Sequence, residues 1–265
     1  MIKAFDTHLH LDAFDDPERV LNEARAAGID NWVVPGVSPD GWARIEALAE
    51  GYPGVYSAPG IHPLSADRFQ PETAAELRNL LAHPRAVAVG EVGLDRQVDV
   101  PWPVQEQVFA AMIRLAREMD KPMLVHARES IDRLLKIMQR EGADQVGGVF
   151  HAFSGSVETA QRIIDAGFLL GIGGVVTWPG ARRLPEVVRA FDGLVRKLGP
   201  AVETQWAALS RSIYYAEAYA DRTDIRLGPR ALASVDLLDI LAWGHHGGAC
   251  SLLRQHRVIS ALRPA

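Results

Sequence analysis

Residues 5–14, FDTHLHLDAF, decide how the chain folds. They end the first apolar run, residues 2–5. They carry His8-Leu9-His10 where a dinucleotide-binding sheet would carry its glycine-rich turn. Six more apolar runs follow, at residues 31–35, 55–58, 86–89, 122–125, 147–150 and 168–172. Each is short and continuously apolar, the pattern of a strand buried on both faces of a parallel sheet. Segments of helical period lie between them, at 17–27, 71–81, 104–119, 130–140 and 157–166. Gly28, Gly142 and Gly167 stand where helix-ending glycines belong. Strands alternating with helices predict an α/β fold with a mostly parallel sheet. The choice is between a closed (β/α)8 TIM-like barrel and an open doubly wound sheet. The missing glycine fingerprint favours the barrel.

Composition narrows the class. The chain has 265 residues, 48% hydrophobic and 23% charged, which excludes disorder and fibrous repeats. One cysteine, Cys250, allows no internal disulfide, so a reducing, cytoplasmic setting is expected. Asp6, His8 and His10 interrupt the first apolar run, so no signal peptide is read there. No stretch of about 18 apolar residues predicts a membrane span, and a monomer is the favoured state. The net charge of −5 argues against a broad basic surface for nucleic acid. It leaves room for an enzyme that meets phosphate through bound metal.

Strand ends carry the chemistry. His8 and His10 are two apart, so on an extended chain they point the same way, as a pair of metal-binding imidazoles would. The other reading is two polar residues leaving a strand for a loop. Glu91, His126 and His151 tip the balance, because each follows a different apolar run. Asp6 precedes the His pair on the same face. In a parallel barrel those ends form one face, where a metal site or an acid–base cluster would assemble. Histidines with a carboxylate suit Zn²⁺ or Mn²⁺ better than Ca²⁺, and this many donors can hold two ions. Asp95 orders the loop after Glu91 and can hydrogen-bond a ligand histidine. His83 reads as a surface residue, and Trp102 and Trp178 as packing residues. A Ser before the 157–166 helix reads as its N-cap.

Five collinear segments, FDTHLHLDAF, APGIHP, VGEVGLD, KPMLVHARES and FHAFSGSVETAQRIIDAGFLLGIGG, resemble the TatD family of metal-dependent deoxyribonucleases. The resemblance covers about residues 1–190, and residues 191–265 depart from it. It implies a distorted (β/α)8 barrel of the amidohydrolase type, with two divalent ions (Mg²⁺, Mn²⁺ or Zn²⁺). The implied reaction is phosphodiester hydrolysis by a metal-activated water, with DNA shortened in the 3′–5′ direction. Residue by residue, His8 and His10 match the pair holding one ion. Glu91 matches the bridging carboxylate, and His126 and His151 match the ligands of the second ion. His62 matches a histidine that faces substrate. Arg128 follows the ligand histidine and either contacts a phosphate or pairs with Glu129 or Asp132.

One family feature is missing. An eighth-strand Leu-Leu-x-Glu-Thr-Asp, whose Asp is a ligand and base, should follow the helical segment at 184–191. Its nearest echo is Val202-Glu203-Thr204-Gln205, with an amide where the carboxylate belongs. A divergent replacement, a carboxylate elsewhere (Asp221, Asp224 or Asp236), or a shifted reading frame near residue 190 would each account for it. The eighth β/α unit is therefore expected to be aberrant or incomplete. Residues 199–203 are the best strand candidate, and 205–220 and 231–241 the helix candidates. Two other functions stay open: an amidohydrolase acting on a C–N or ester bond, and a metal-binding homologue with impaired catalysis.

Overall fold

The computed structural model describes residues 4–26, 29–173, 180, 182–197 and 239–240. Strands and helices alternate: β1 (Ala4–Asp6), α1 (Pro17–Ala26), β2 (Ile29–Pro35), α2 (Pro39–Gly51), β3 (Val55–Ala58), α3 (Pro71–Leu81) and β4 (Val89–Asp95). There follow α4 (Trp102–Glu118), β5 (Met123–Arg128), α5 (Ile131–Glu141), β6 (Gly148–Phe150), α6 (Val157–Asp165), β7 (Phe168–Gly171), α7 (Arg183–Lys197) and β8 (Asp239–Ile240). Strands β1-β2-β3 form one parallel set, and β4-β5-β6-β7 a second, in chain order. A parallel bridge between Ser57 and Ala86 joins the two sets. This is the (β/α)8 barrel architecture, and all seven of these strands end on the same face.

Two apolar layers show how the sheet is filled. Val33, Ala58, Val87, Ala88, Leu124, Val149 and Leu169 form one cluster that contains no helix residue, so it lies inside the curl of the sheet. Their strand neighbours Trp32, Val34, Met123, Val125, Phe150, Phe168 and Leu170 belong to the second cluster, together with the buried faces of α1 to α7. Alternation with period two therefore separates inside from outside along each strand. Each inward Val or Leu contributes roughly 1.5–3 kcal/mol by leaving water.

The sequence places most elements to within a few residues and misses α2. That helix begins with Pro39 at its first position, and its buried stripe is Trp42, Ile45, Leu48 and Ala49. Gly142 ends α5 at φ +69°, as expected of a C-terminal glycine. Ser156 caps α6 by accepting the Thr159 N–H at 3.3 Å.

The expected eighth-strand segment, residues 199–203, and the 205–220 helix lie outside the described residues. So do residues 231–238 and 241 of the second expected helix. Its residues 239–240 are strand, pairing antiparallel to β7 through Leu170–Ile240 and Gly171–Asp239. An unpaired β7 edge would present open N–H and C=O groups, which this short strand takes up. Among the described residues, β8 is the one strand that runs antiparallel to its neighbour.

Candidate functional site

The inward files of the strands lead directly into the site. His126 lies two residues beyond inward Leu124, and His151 two beyond inward Val149, so both rings continue the interior stack. The His151 N–H donates to Val125 O at 2.9 Å, which holds it to the end of β5. Beyond β1, the Leu9 N–H donates to Val33 O at 2.9 Å, and Leu9 and Leu11 are buried in the outer cluster. His8 and His10 consequently face the interior. The β4 ladder shifts register between Val89 and Val92, where Glu91 sits.

Two further anchors set the site. Gly93 has φ +152°, and a Cβ there would collide with the His126 carbonyl. Glycine thus lets β4 lie against the backbone of a site residue. Trp42 Nε1 donates to Gly60 O at 2.9 Å, and the His62 N–H donates to Val37 O at 3.0 Å. The missed helix α2 therefore fixes the loop that carries His62.

Glu91 is the hub. It is 4% exposed, and its two oxygens serve two sets of imidazoles. Oε2 lies 3.2 Å from His8 Nε2 and 3.7 Å from His10 Nε2. Oε1 lies 2.8 Å from His126 Nδ1. The two Nε2 atoms of His8 and His10 are 3.3 Å apart. His8, His10 and Glu91 offer donor atoms all within 4.8 Å of one another, and so do His62, Glu91 and His126. His151 stacks on His8, with ring centroids 3.4 Å apart and an interplanar angle of 11°. The structure thus brings all six expected His and Glu residues to one face. It groups His62 with Glu91 and His126, where the family resemblance implies His151.

Electrostatics separates the roles of these imidazoles. Burial pushes His62 down to about 4, so the ring is neutral at pH 7. Its Nδ1 accepts the Leu64 N–H at 3.1 Å, which places the one remaining proton on Nε2. A nitrogen that carries a proton donates a hydrogen bond and does not ligate a metal. Burial also lowers His8, with His151 and His10 adding to the effect against the pull of Glu91. Burial alone would raise the Glu91 carboxyl, but the surrounding histidines outweigh it and hold it well below the usual carboxylate range. For His126, burial acts downward, and the bonds and charges of Glu91 and Asp95 overcome it and raise the ring above 6.5.

The donor set fits divalent metal. Imidazoles and a shared carboxylate are the ligands that Zn²⁺ and Mn²⁺ prefer. His8 Nδ1 is buried with no hydrogen-bond partner among the described residues, so on the side opposite Glu91 nothing competes for its ring.

Arg128, the last residue of β5, is exposed and makes no ion pair among the described residues. Its expected partners are engaged elsewhere, Glu129 with Gln97 and Arg96, and Asp132 with Arg162. His83 lies at the surface, 3.4 Å from Glu50, and Trp102 packs under the Arg133 guanidinium. Sequence reasoning missed Gln105. Its signal was a polar residue on the buried face of α4, among Val108, Phe109 and Met112.

Comparison with known proteins identifies the family. A family model described as TatD related DNase matches residues 5–194. The metal-dependent hydrolase YabD of Bacillus subtilis is 38% identical over 189 residues, spanning 70% of this chain and 74% of its own. The 3′-5′ ssDNA/RNA exonuclease TatD of Cronobacter turicensis is 35% identical over 176 residues, 65% of this chain and 67% of its own. The crystal structure of the Escherichia coli TatD homologue YjjV superposes with a TM-score of 0.66 at 34% identity, covering 70% of this chain and 73% of that one. The family match ends at residue 194, just where the sequence motifs run out. The strand-end histidines around Glu91, the barrel that presents them and these relatives place the chain in the TatD-related DNase family of metal-dependent hydrolases.

Proposed function

We propose that the protein hydrolyses phosphodiester bonds of DNA, working from a 3′ end, with two divalent ions at the barrel mouth. The observation that carries this reading is the division of Glu91, one oxygen toward His8 and His10 and the other toward His126. A carboxylate so placed can bridge two ions. His8 and His10 would complete one position. His126 would serve the second, with His151 as its partner if that ring left its stack on His8. His62, neutral and protonated at Nε2, donates to the substrate. Arg128, which makes no ion pair among the described residues, meets two phosphate oxygens as a bidentate donor. Bound ions would supply the charge that brings a water's pKa toward neutrality and offsets charge gathering on the phosphoryl oxygens. The name of the Cronobacter relative supports nucleic acid as substrate. The charge of −5 is compatible with this because the ions bring the positive field.

The end of the family match at residue 194 favours a second reading, a metal-binding homologue with weakened turnover. Residues 191–265 would then fill the eighth unit without its water-orienting carboxylate. Asp221, Asp224 and Asp236, all outside the described residues, are the candidates to replace it. Loss of a general base lowers rate by roughly 10²–10⁴-fold.

The test is digestion of a 5′-labelled single-stranded oligonucleotide with Mg²⁺, Mn²⁺ or Zn²⁺, beside a calorimetric metal titration. Two ions bound with progressive shortening from the 3′ end is the expected result. Two ions without digestion supports the weakened homologue. Absence of metal binding overturns both readings.

A further inference from the structure

Asp95 and Gln105 form a buried polar chain that the metal site itself does not require. Asp95 is 4% exposed and Gln105 2% exposed. Asp95 Oδ2 lies 3.0 Å from His126 Nε2, and Oδ1 accepts the Gln97 N–H at 2.7 Å. Both carboxylate oxygens are thus committed. Gln105 reaches from α4 to the backbone of Asp95 on both sides. Its Oε1 accepts the Asp95 N–H at 2.9 Å, and its Nε2 donates to Asp95 O at 3.1 Å and to Val100 O at 2.6 Å. Ser130 Oγ donates to Leu94 O at 2.7 Å, closing the other side of the turn. A side-chain amide is costly to bury, and this one spends its described bonds on the backbone of Asp95 and of Val100, the two ends of one loop.

We propose that Asp95, fixed by Gln105, is the positioning residue for His126. It holds the proton on Nε2, so that Nδ1 turns its lone pair toward Glu91 and the ion beside it. This rests on the metal-site reading above. The physical reason is that an imidazole shows a lone pair on one nitrogen only when the proton is kept on the other. A carboxylate behind a ligand histidine fixes both tautomer and ring orientation. Gln105 acts one step further back, since a carboxylate that swings cannot hold a ring still.

Asp95→Asn makes the test sharp because the shape is kept. The single amide oxygen can serve the Gln97 N–H or the His126 Nε2–H, but not both. If it stays with Gln97, the amide donates to Nε2 and drives the His126 proton to Nδ1, where it faces the ion. Zinc affinity is then expected to fall roughly 10–100-fold. Gln105→Met should lower it in the same direction and by less. Adding Gln105→Met to Asp95→Asn should cost little more, because both act through the same ring.

The experiment is calorimetric Zn²⁺ titration of the wild type, both variants and the double variant. The ring nitrogens of His126 are also read by ¹⁵N NMR in the zinc-loaded wild type. Nε2 protonated with Nδ1 on the metal is expected there, a measurement that needs no variant to fold. Equal affinity in Asp95→Asn, fully additive losses, or a metal-bound Nε2 overturns the proposal. A wild type that binds no zinc instead sinks the underlying site assignment, so the two failures are distinguishable.

Discussion

Glu91→Gln tests the hub most directly. The substitution keeps the shape and hydrogen-bonding atoms and removes one negative charge. The carboxylate oxygens lie 2.8 to 3.7 Å from the His8, His10 and His126 nitrogens, so an ion held among those nitrogens sits within about 4 Å of the charge. At that distance, with an effective dielectric near 20, each unit of cation charge is worth about 4 kcal/mol, or roughly a thousandfold in affinity. A divalent ion carries two such units, about 8 kcal/mol before the desolvation that Gln avoids, so binding of the first ion should weaken by at least about 10³-fold, and a second ion sharing the same carboxylate should not be detected.

The metal-free protein should respond differently. A buried carboxylate among imidazoles is costly to desolvate, but removing it alone leaves its partners uncompensated. Thermal melting of metal-free Glu91→Gln at pH 7 should fall below wild type, because the contribution of the depressed carboxyl is lost. Its pH profile should flatten. In the wild type, the depressed Glu91 contributes stability that is complete above 4.5 and is lost as pH falls through its lower folded value. The raised His126 contributes stability that is complete below 6.5 and is lost as pH rises through its higher folded value. Between those two values both contributions are present, but His62 and His8, lowered by burial, cost stability as pH falls below 6.5, so the metal-free wild type should melt highest near the top of that window. Removing the charge takes away the Glu91 contribution and most of the cause of the His126 shift. Titration calorimetry on chelator-treated protein and melts across pH 4–9 (about one point per half unit) provide the measurements. Wild-type stoichiometry with a dissociation constant within about threefold in Glu91→Gln would refute the reasoning, since it would put the ion far from this carboxylate.

Metal loading should release protons, because His126 is raised above 6.5 when metal-free and must lose a proton to ligate. Apparent affinity should thus fall as pH drops, and calorimetric heats at pH 6.5 should depend on the ionisation enthalpy of the buffer. Gly93→Ala should destabilise the fold by about 3 kcal/mol, since φ +152° and the His126 carbonyl leave no room for a Cβ. A urea midpoint unchanged from wild type would contradict the packing described. Leu124→Ala should cost about 2–5 kcal/mol through a cavity inside the sheet, while leaving zinc stoichiometry intact. Ser156→Ala should cost about 1 kcal/mol by removing the cap on α6, seen as a lower melting temperature with unchanged metal binding.

The barrel was legible because its strands are buried on both faces and so read as unbroken apolar runs. What those runs concealed is direction. Met123-Leu124-Val125 looks uniform, yet Leu124 faces inward and its neighbours outward. Only the polar residue that ends the run, His126, reveals the phase. Helix α2 escaped because its apolar stripe is thin and shares the segment with Asp40, Arg44 and Glu46. The site residues were legible one by one, since each breaks an apolar run at a strand end. Their grouping was not. Pairing His126 with His62, and His151 with His8, depends on how the sheet curls. The proton on His62 depends on a backbone N–H two residues away. Gln105 lies ten residues from Asp95 and on a helix, a separation that spacing along the chain does not interpret.

The charge balance ties the site to its substrate. The chain carries 28 basic and 33 acidic residues, so its overall field repels a polyanion. Arg128 is one cation at the mouth that makes no ion pair among the described residues, and a single guanidinium cannot reverse that field. Two divalent ions would add four positive charges at the point where the phosphate must arrive. Affinity for DNA should therefore depend on metal occupancy far more than on the protein surface. Linkage makes the dependence mutual: whatever factor the ions add to phosphate binding, a bound phosphate adds to ion binding. A site of imidazoles that would ligate as neutral groups around one shared carboxylate suits that coupling. It gives the ions enough negative charge to bind, and leaves most of their positive charge for the substrate.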